Sequence, residues 1–358
     1  MTDRVYNFSA GPSVLPEPVL ERARNEILNY SSSGMSVMEM SHRSPAFQEI
    51  FDSAKQLLRE TLSVPDTHEI LFLQGGATLQ FASIPMNLIE GGTADYVITG
   101  NFSGKAAKEA EKYGKVHIAA STAPENASIP AQEELSLSAD AKYFYYCANN
   151  TIYGTEWNYV PETSAPLVCD MSSDILSRPV DVSKYGLIYA GAQKNMAPAG
   201  LTVVIIDKKL AGRELPYTPQ IMSYQTLIAS DSMLNTPPCW CIYMLGLNLQ
   251  WLQSIGGIAE MEKIKRERAE KVYNFLDSSS FYIPHAEKSA RSDMNVTFRT
   301  NSAELDAEFV KEASSRGLVN LKGHKIAGGM RASLYNAMPM EGVDALIEFM
   351  KEFEYRHV

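Results

Sequence analysis

The chain has 358 residues, 45% hydrophobic and 21% charged, with a net charge of −10 and a pI near 5.2. That length predicts two domains, or one large domain with a smaller attachment, and a core that needs no disulfide or metal staples. The acidic balance argues against broad binding to nucleic acid or anionic membranes, and no apolar run of about 18 residues predicts a membrane span.

The start of the chain, through Pro18, shows no basic leader followed by an apolar stretch, so a cytoplasmic protein is expected. A helix is predicted over 17–30, with Pro16 and Pro18 at its start and Val19, Leu20, Ala23, Ile27 and Leu28 on one face. A second helix over 46–62 repeats Phe47, Ile50, Phe51, Ala54, Leu57, Leu58 and Leu62 at helical spacing, and Pro65 follows. Short apolar runs come next, at 70–73, 96–99, 116–120, 143–147, 167–169, 187–190 and 201–206. Several lack alternation, as strands buried on both faces of a mainly parallel sheet do. Helical stretches such as 104–113 intervene, which is the α/β pattern. Two long helices are expected over 241–254 and 258–276, with a join to a separate C-terminal unit near residue 260. That unit reads as α+β: a strand over 295–299, a helix over 302–316, a glycine-rich stretch and a helix over 342–353. The cysteines, Cys147, Cys169, Cys239 and Cys241, form no Cys-x-x-Cys pair and have no histidine at metal-ligand spacing. Buried thiols are expected for the first two, and neither a metal site nor a disulfide framework is expected.

Three stretches carry candidate chemistry. In Tyr189-Ala190-Gly191-Ala192-Gln193-Lys194-Asn195 a strand runs into small residues and one lysine, placed where α/β folds put ligand chemistry. Alone, Lys194 reads equally as a surface lysine in a hairpin. In Val168-Cys169-Asp170 an apolar strand ends in a carboxylate, which suits a protonated pyridine nitrogen or, as readily, a cap on the next turn. In Leu73-Gln74-Gly75-Gly76-Ala77-Thr78 a strand passes through two glycines into a helix start, whose free N–H groups suit a phosphate. A plain strand-to-helix turn also wants those glycines. The stretch lacks the lysine–serine ending of a nucleotide P-loop.

With these in order, the sequence closely resembles phosphoserine aminotransferases, class-V members of the aspartate-aminotransferase-like (fold type I) pyridoxal-phosphate enzymes. The resemblance runs from Asn7-Phe8-Ser9-Ala10-Gly11-Pro12 through Ser36–Arg43, Ile175–Pro179, Tyr189–Gly200 and Asn235-Thr236-Pro237-Pro238 to Lys322-Gly323-His324 and Asn336–Pro339. It implies a large cofactor domain over 16–260, with a mainly parallel mixed sheet flanked by helices. A smaller C-terminal α+β domain would span 261–358, joined by residues 1–15. Lys194 matches the lysine that holds pyridoxal 5'-phosphate as a Schiff base and then moves the α-proton. Asp170 matches the ring-nitrogen acid, Ala77 and Thr78 the phosphate loop, Thr151 a threonine beside the ring, and Gln193 a polar contact. Phe102 stands where many members have a ring-stacking tryptophan; an ordinary core aromatic is the other reading. Asn235 and Thr236 match residues reaching the cofactor phosphate from a second subunit, so the resemblance implies a homodimer; by itself Asn-Thr-Pro-Pro is a rigid turn.

For substrates, Arg331 matches the arginine on the α-carboxylate, which a guanidinium can hold through two parallel hydrogen bonds. His42 and Arg43 match the pair on the distal anion, His324 resembles a phosphate-side contact, and Ser9 joins this set. The stretch Leu321 to Arg331 holds Lys322, His324, Lys325 and Arg331 with no acid. Some relatives carry an arginine in the glycine loop near Thr78, which this chain lacks. The implied reaction is a ping-pong exchange: glutamate leaves as 2-oxoglutarate, and 3-phosphohydroxypyruvate is aminated to phosphoserine for serine biosynthesis. 4-Phosphohydroxythreonine, in pyridoxine synthesis, is a further substrate among relatives. Alternatives are an alanine–glyoxylate-type transaminase, a cysteine desulfurase, or a non-catalytic cofactor-binding protein.

Overall fold

All seven apolar runs become neighbouring strands of one sheet in the computed structural model, which describes residues 4–358. In spatial order they are His68–Leu73, Thr202–Asp207, Leu187–Gly191, Leu167–Asp170, Phe144–Cys147, Thr93–Ile98 and Lys115–Ser121. Only Thr202–Asp207 runs antiparallel to its neighbours. The central strands are buried on both faces, which explains why their sequences show no alternation.

Register decides what the sheet presents at its edge. Leu73 pairs with Thr202, Thr202 with Gly191, Tyr189 with Asp170, and Asp170 with Cys147. The carboxyl ends of these parallel strands therefore line up on one side, where ligand crevices form in such sheets.

The helix predicted over 46–62 spans Pro45–Thr61. The Ser44 hydroxyl accepts from Phe47 N at 3.3 Å, and Pro45 fills the first turn, where its missing N–H costs nothing. Its stripe of Phe47, Ile50, Phe51, Ala54 and Leu58 is buried, each larger side chain contributing about 1.5–3 kcal/mol. Two boundaries differ from expectation. The first helix stops at Glu26 because Tyr30 turns onto Tyr243, ring centroids 5.6 Å apart, and Ser31 and Ser32 take positive φ. The helix expected over 104–113 is Asn101–Ala110, since Ser103 accepts from Thr99 N and donates to Gly100 O, completing an earlier first turn. That shift places Phe102 in the helix start.

A second core holds Phe8, Val296, Phe298, Phe309, Leu318, Met330, Phe349 and Phe353. It lies among the antiparallel strands Ile283–Pro284, Asn295–Arg299 and Met330–Ser333 and the helices Ala303–Ser315 and Met340–His357. Tyr6–Asn7 pairs in parallel with Leu318–Val319, which brings the N-terminal segment to this unit. The helix Gly257–Ser278 serves both: Ile258 and Met261 pack in the sheet's core, Ala269, Val272 and Leu276 in the second. No helix among the described residues is long and apolar enough to cross a membrane.

Candidate active site

Lys194 lies three residues beyond Gly191, at the aligned strand ends. Its backbone is fixed from several sides. Ser13 N donates to Gln193 O at 2.9 Å, and the Ser13 hydroxyl donates to Lys194 O. Asn195 donates to Ile175 O at 2.9 Å and accepts from Asn336 N at 3.0 Å. The side chain is left to reach Thr151, whose Oγ1 accepts from Lys194 Nζ at 2.7 Å. The same ammonium lies 5.8 Å from the centre of the Phe102 ring. This is not the free surface lysine that the local sequence also allowed.

Thr151 sits at the turn between the short strands Asn149–Asn150 and Thr155–Glu156, a hairpin the sequence reading did not predict. Asn149 Nδ2 reaches Asn295 Oδ1 at 2.8 Å, and Thr297 Oγ1 donates to Tyr153 O at 2.8 Å, so the second unit holds this hairpin in place. From the strand Met330–Ser333, Arg331 Nη1 donates to the Thr151 carbonyl at 3.2 Å. The lysine and the arginine thus meet on one residue. Burial pushes the Arg331 pKa down from its usual value.

Asp170 is 5% exposed and has no cationic side chain as partner among the described residues. Its Oδ1 accepts from Ser172 N at 2.9 Å, so it does cap its own turn, and its Oδ2 accepts from the Tyr189 hydroxyl at 3.0 Å. The cap on its own turn is therefore formed, and it leaves the carboxylate without a cation. At the end of His68–Leu73, Gly75 takes φ +91°, and a Cβ there would lie 2.4 Å from Leu79. The following helix, Gly76–Leu88, opens with no side-chain cap, leaving first-turn N–H groups at Ala77 and Thr78 for an anion.

None of the remaining predicted residues hydrogen-bonds Lys194 among the described residues. Asn235 is exposed and donates to Gln74 Oε1 at 2.6 Å, beside the glycine turn, and Thr236 next to it is exposed. Arg43 is exposed and His42 half-buried, and neither side chain has a hydrogen-bond or ion-pair partner among the described residues. Ser9 is half-buried and bonds only locally, its hydroxyl 3.4 Å from Gly11 N. His324 faces the cations: burial and then Arg331, Lys325 and Lys105 hold its pKa below the usual histidine value. Lys105 was not among the residues singled out, because its distance in sequence from the basic stretch hides it.

A buried carboxylate without a cation, an uncapped helix start and a lysine without a carboxylate partner match the three polar features of pyridoxal phosphate: ring nitrogen, phosphate and aldehyde. The residues present fit that group. The four thiols do not offer a reactive nucleophile, since burial raises the pKa of Cys147, Cys169, Cys239 and Cys241.

Comparison with known proteins agrees with this geometry. The model of the family "Aminotransferase class-V" matches residues 5–346, and the chain belongs to that family of pyridoxal-phosphate-dependent aminotransferases. Its relatives are phosphoserine aminotransferases. That of Bacillus cereus is 51% identical over 355 residues, covering 98% of this chain and 99% of the relative. The solved structure of the enzyme from Bacillus circulans subsp. alkalophilus superposes with a TM-score of 0.98 at 44% identity, covering 100% of both chains. The PLP-bound enzyme of Trichomonas vaginalis gives 0.94 at 43% identity, over 97% of this chain and 100% of the other.

Proposed function

We propose that this chain is a phosphoserine aminotransferase, moving an amino group from L-glutamate to 3-phosphohydroxypyruvate to give 2-oxoglutarate and O-phospho-L-serine in serine biosynthesis. The observation that carries the reading is the convergence on Thr151 of Lys194 Nζ at 2.7 Å and Arg331 Nη1 at 3.2 Å. A proton-moving amine and a carboxylate-binding guanidinium held this way can serve one amino acid at its α-carbon.

When bound, pyridoxal phosphate supplies the reactive carbonyl and a ring that spreads charge from the substrate α-carbon. Asp170 would meet the ring nitrogen and keep it positive. The helix start at Ala77 and Thr78 would receive the phosphate, with Asn235 and Thr236 serving the same group in a partner's site. Phe102 would stack on the ring, with Thr151 and Gln193 as further contacts. Once released from the cofactor, Lys194 Nζ would take the proton from the substrate α-carbon in one half of the exchange and give one to the α-carbon of the second substrate in the other, with the Thr151 oxygen beside it as a hydrogen-bond acceptor. Arg331 orients the α-carboxylate. His42, Arg43, His324 and Ser9 receive the distal anion, which is a carboxylate in glutamate and a phosphate in phosphoserine. His42 and Arg43 have no side-chain partner among the described residues, which supports a homodimer with shared sites. A cytoplasmic location goes with this reading. The same reading divides the chain near residue 260, and Phe8 in the second core supports assigning the N-terminal segment to the smaller unit.

Borohydride reduction of the holoenzyme and peptide mass mapping should place the pyridoxyl group on Lys194, and Lys194→Ala should fold, lack the tag and lose turnover. A tag on another peptide, or normal turnover by that variant, sinks the assignment. Phosphoserine should outperform alanine and cysteine as donor; the reverse order would select an alanine–glyoxylate-type transaminase or a desulfurase.

A further inference from the structure

Behind Asp170 lie two buried tyrosines to which no role has yet been given. Tyr189 stands opposite Asp170 in register on the next strand, and its hydroxyl reaches Asp170 Oδ2 at 3.0 Å. The Tyr145 hydroxyl lies 2.8 Å from that of Tyr189, and both side chains are buried. A phenol has one proton to give, and a carboxylate can only accept. The Tyr189 proton therefore points at Asp170, and the proton of the second bond must come from Tyr145. The direction is fixed as Tyr145 to Tyr189 to Asp170. Beyond Tyr145 the hydroxyl chain stops: Tyr96 bonds Tyr143 at 2.7 Å and only stacks on Tyr145, centroids 4.7 Å apart. Burial pushes both phenols well above their usual range, so they stay protonated donors.

We propose that Tyr189, polarised by Tyr145, is a positioning residue that aims the Asp170 carboxylate at the cofactor's ring nitrogen. With Ser172 N on Oδ1 and the Tyr189 hydroxyl on Oδ2, the carboxylate plane is held from both ends. The lone pairs not used by these donors are the ones left to meet a cationic ring. Hydrogen bonds to a charged acceptor are shorter and stronger than neutral ones, and a donor that itself accepts a hydrogen bond donates more strongly. The proposal rests on Asp170 being the ring-nitrogen acid.

Tyr189→Phe removes one hydroxyl and nothing else; Tyr145→Phe removes only the second donor. Affinity for pyridoxal phosphate, measured by dilution of the holoenzyme and its visible absorbance, should fall about tenfold in Tyr189→Phe and less in Tyr145→Phe. The pH profile of that absorbance should move in the same order. In an Asp170→Asn background, Tyr189→Phe should add nothing further, because its action passes through the carboxylate. Wild-type cofactor affinity and pH profile in Tyr189→Phe, with only a lower melting temperature, would show a purely structural pair and overturn the proposal. So would an equal loss in the Asp170→Asn background. Wild-type affinity in Asp170→Asn alone would instead overturn the reading of Asp170.

Discussion

Lys265 stands within the helix Gly257–Ser278 with only 2% of its side chain exposed. Its ammonium meets Glu156 Oε1 at 3.0 Å and Asp293 Oδ2 at 3.4 Å. Glu156 also lies 3.6 Å from Arg178 Nε, and Arg178 Nη2 lies 3.2 Å from Asp174 Oδ2. Two cations thus hold three carboxylates between the sheet unit and the C-terminal unit. Lys265→Met keeps the apolar stem and deletes one cation. Removing one partner of a buried pair costs about 3–5 kcal/mol, because the other charge stays out of water. Against a total stability of roughly 5–15 kcal/mol, that is a large share. Burial already raises the Asp174 and Asp293 pKa values above the usual carboxylate range. A raised folded-state pKa gives stability that is full below the unfolded-state value and lost as pH rises through the folded one. Losing Lys265 raises both further, so the loss should be greater at about pH 7.5 than at about pH 5. Urea unfolding of holoenzyme, read by circular dichroism and tryptophan fluorescence, measures both quantities. Adding Glu156→Gln should recover part of the loss by removing an orphaned charge. A midpoint shift worth less than about 1 kcal/mol, or a larger loss at the lower pH, would refute a desolvated network here.

Three further outcomes follow from the site. Arg331→Lys replaces a planar fork by a point charge, so KM for glutamate and phosphoserine should rise about 10–100-fold with a smaller change in kcat; unchanged KM values in steady-state kinetics would remove Arg331 from the carboxylate site. His324 has a lowered pKa and faces cations, so a phosphate should bind it with proton uptake, and KM for phosphoserine should fall from about pH 8 to about pH 6. His324→Asn should flatten that profile; an unaltered profile would count against the contact. In Gly323→Ala the new Cβ would lie 1.9 Å from Gly328 O, a backbone atom that cannot swing aside. The basic loop must then shift, and KM for phosphoserine should rise about tenfold or more while the melting temperature moves by only a few degrees; equal KM values would show that the loop does not carry the phosphate.

The central strands were legible because a strand buried on both faces writes a continuous apolar run, as in Val168-Cys169 and Val203-Val204-Ile205. The stretches holding Lys194, Asp170 and the glycine turn stood out because each lies at or just past the end of such a run. What escaped depends on partners far away in sequence. The Thr151 hairpin has two-residue strands and is held by Asn295 and Thr297, so no local pattern marks it. Lys265 and Arg268 were not singled out, yet both are buried, Arg268 donating to the carbonyls of Tyr335, Asn336 and Met338. Tyr189 lay inside the lysine motif but looked like one more strand aromatic. Only its register with Asp170 gives it a task.

The arrangement around Lys194 also bears on how the proton is moved. Ser13, Asn195 and Asn248 hold the backbone of residues 193–196 through donors and acceptors drawn from both units. Backbone movement there would break several buried hydrogen bonds at once, each expensive to leave unmade. A side-chain rotation of Lys194 breaks only the bond to Thr151 Oγ1. In the proposed reaction, proton transfer would therefore use the lysine's own rotatable bonds, on a backbone held in place. Arg331 donates to the carbonyl of that same threonine, so the group proposed to orient the substrate also holds the residue that the lysine contacts.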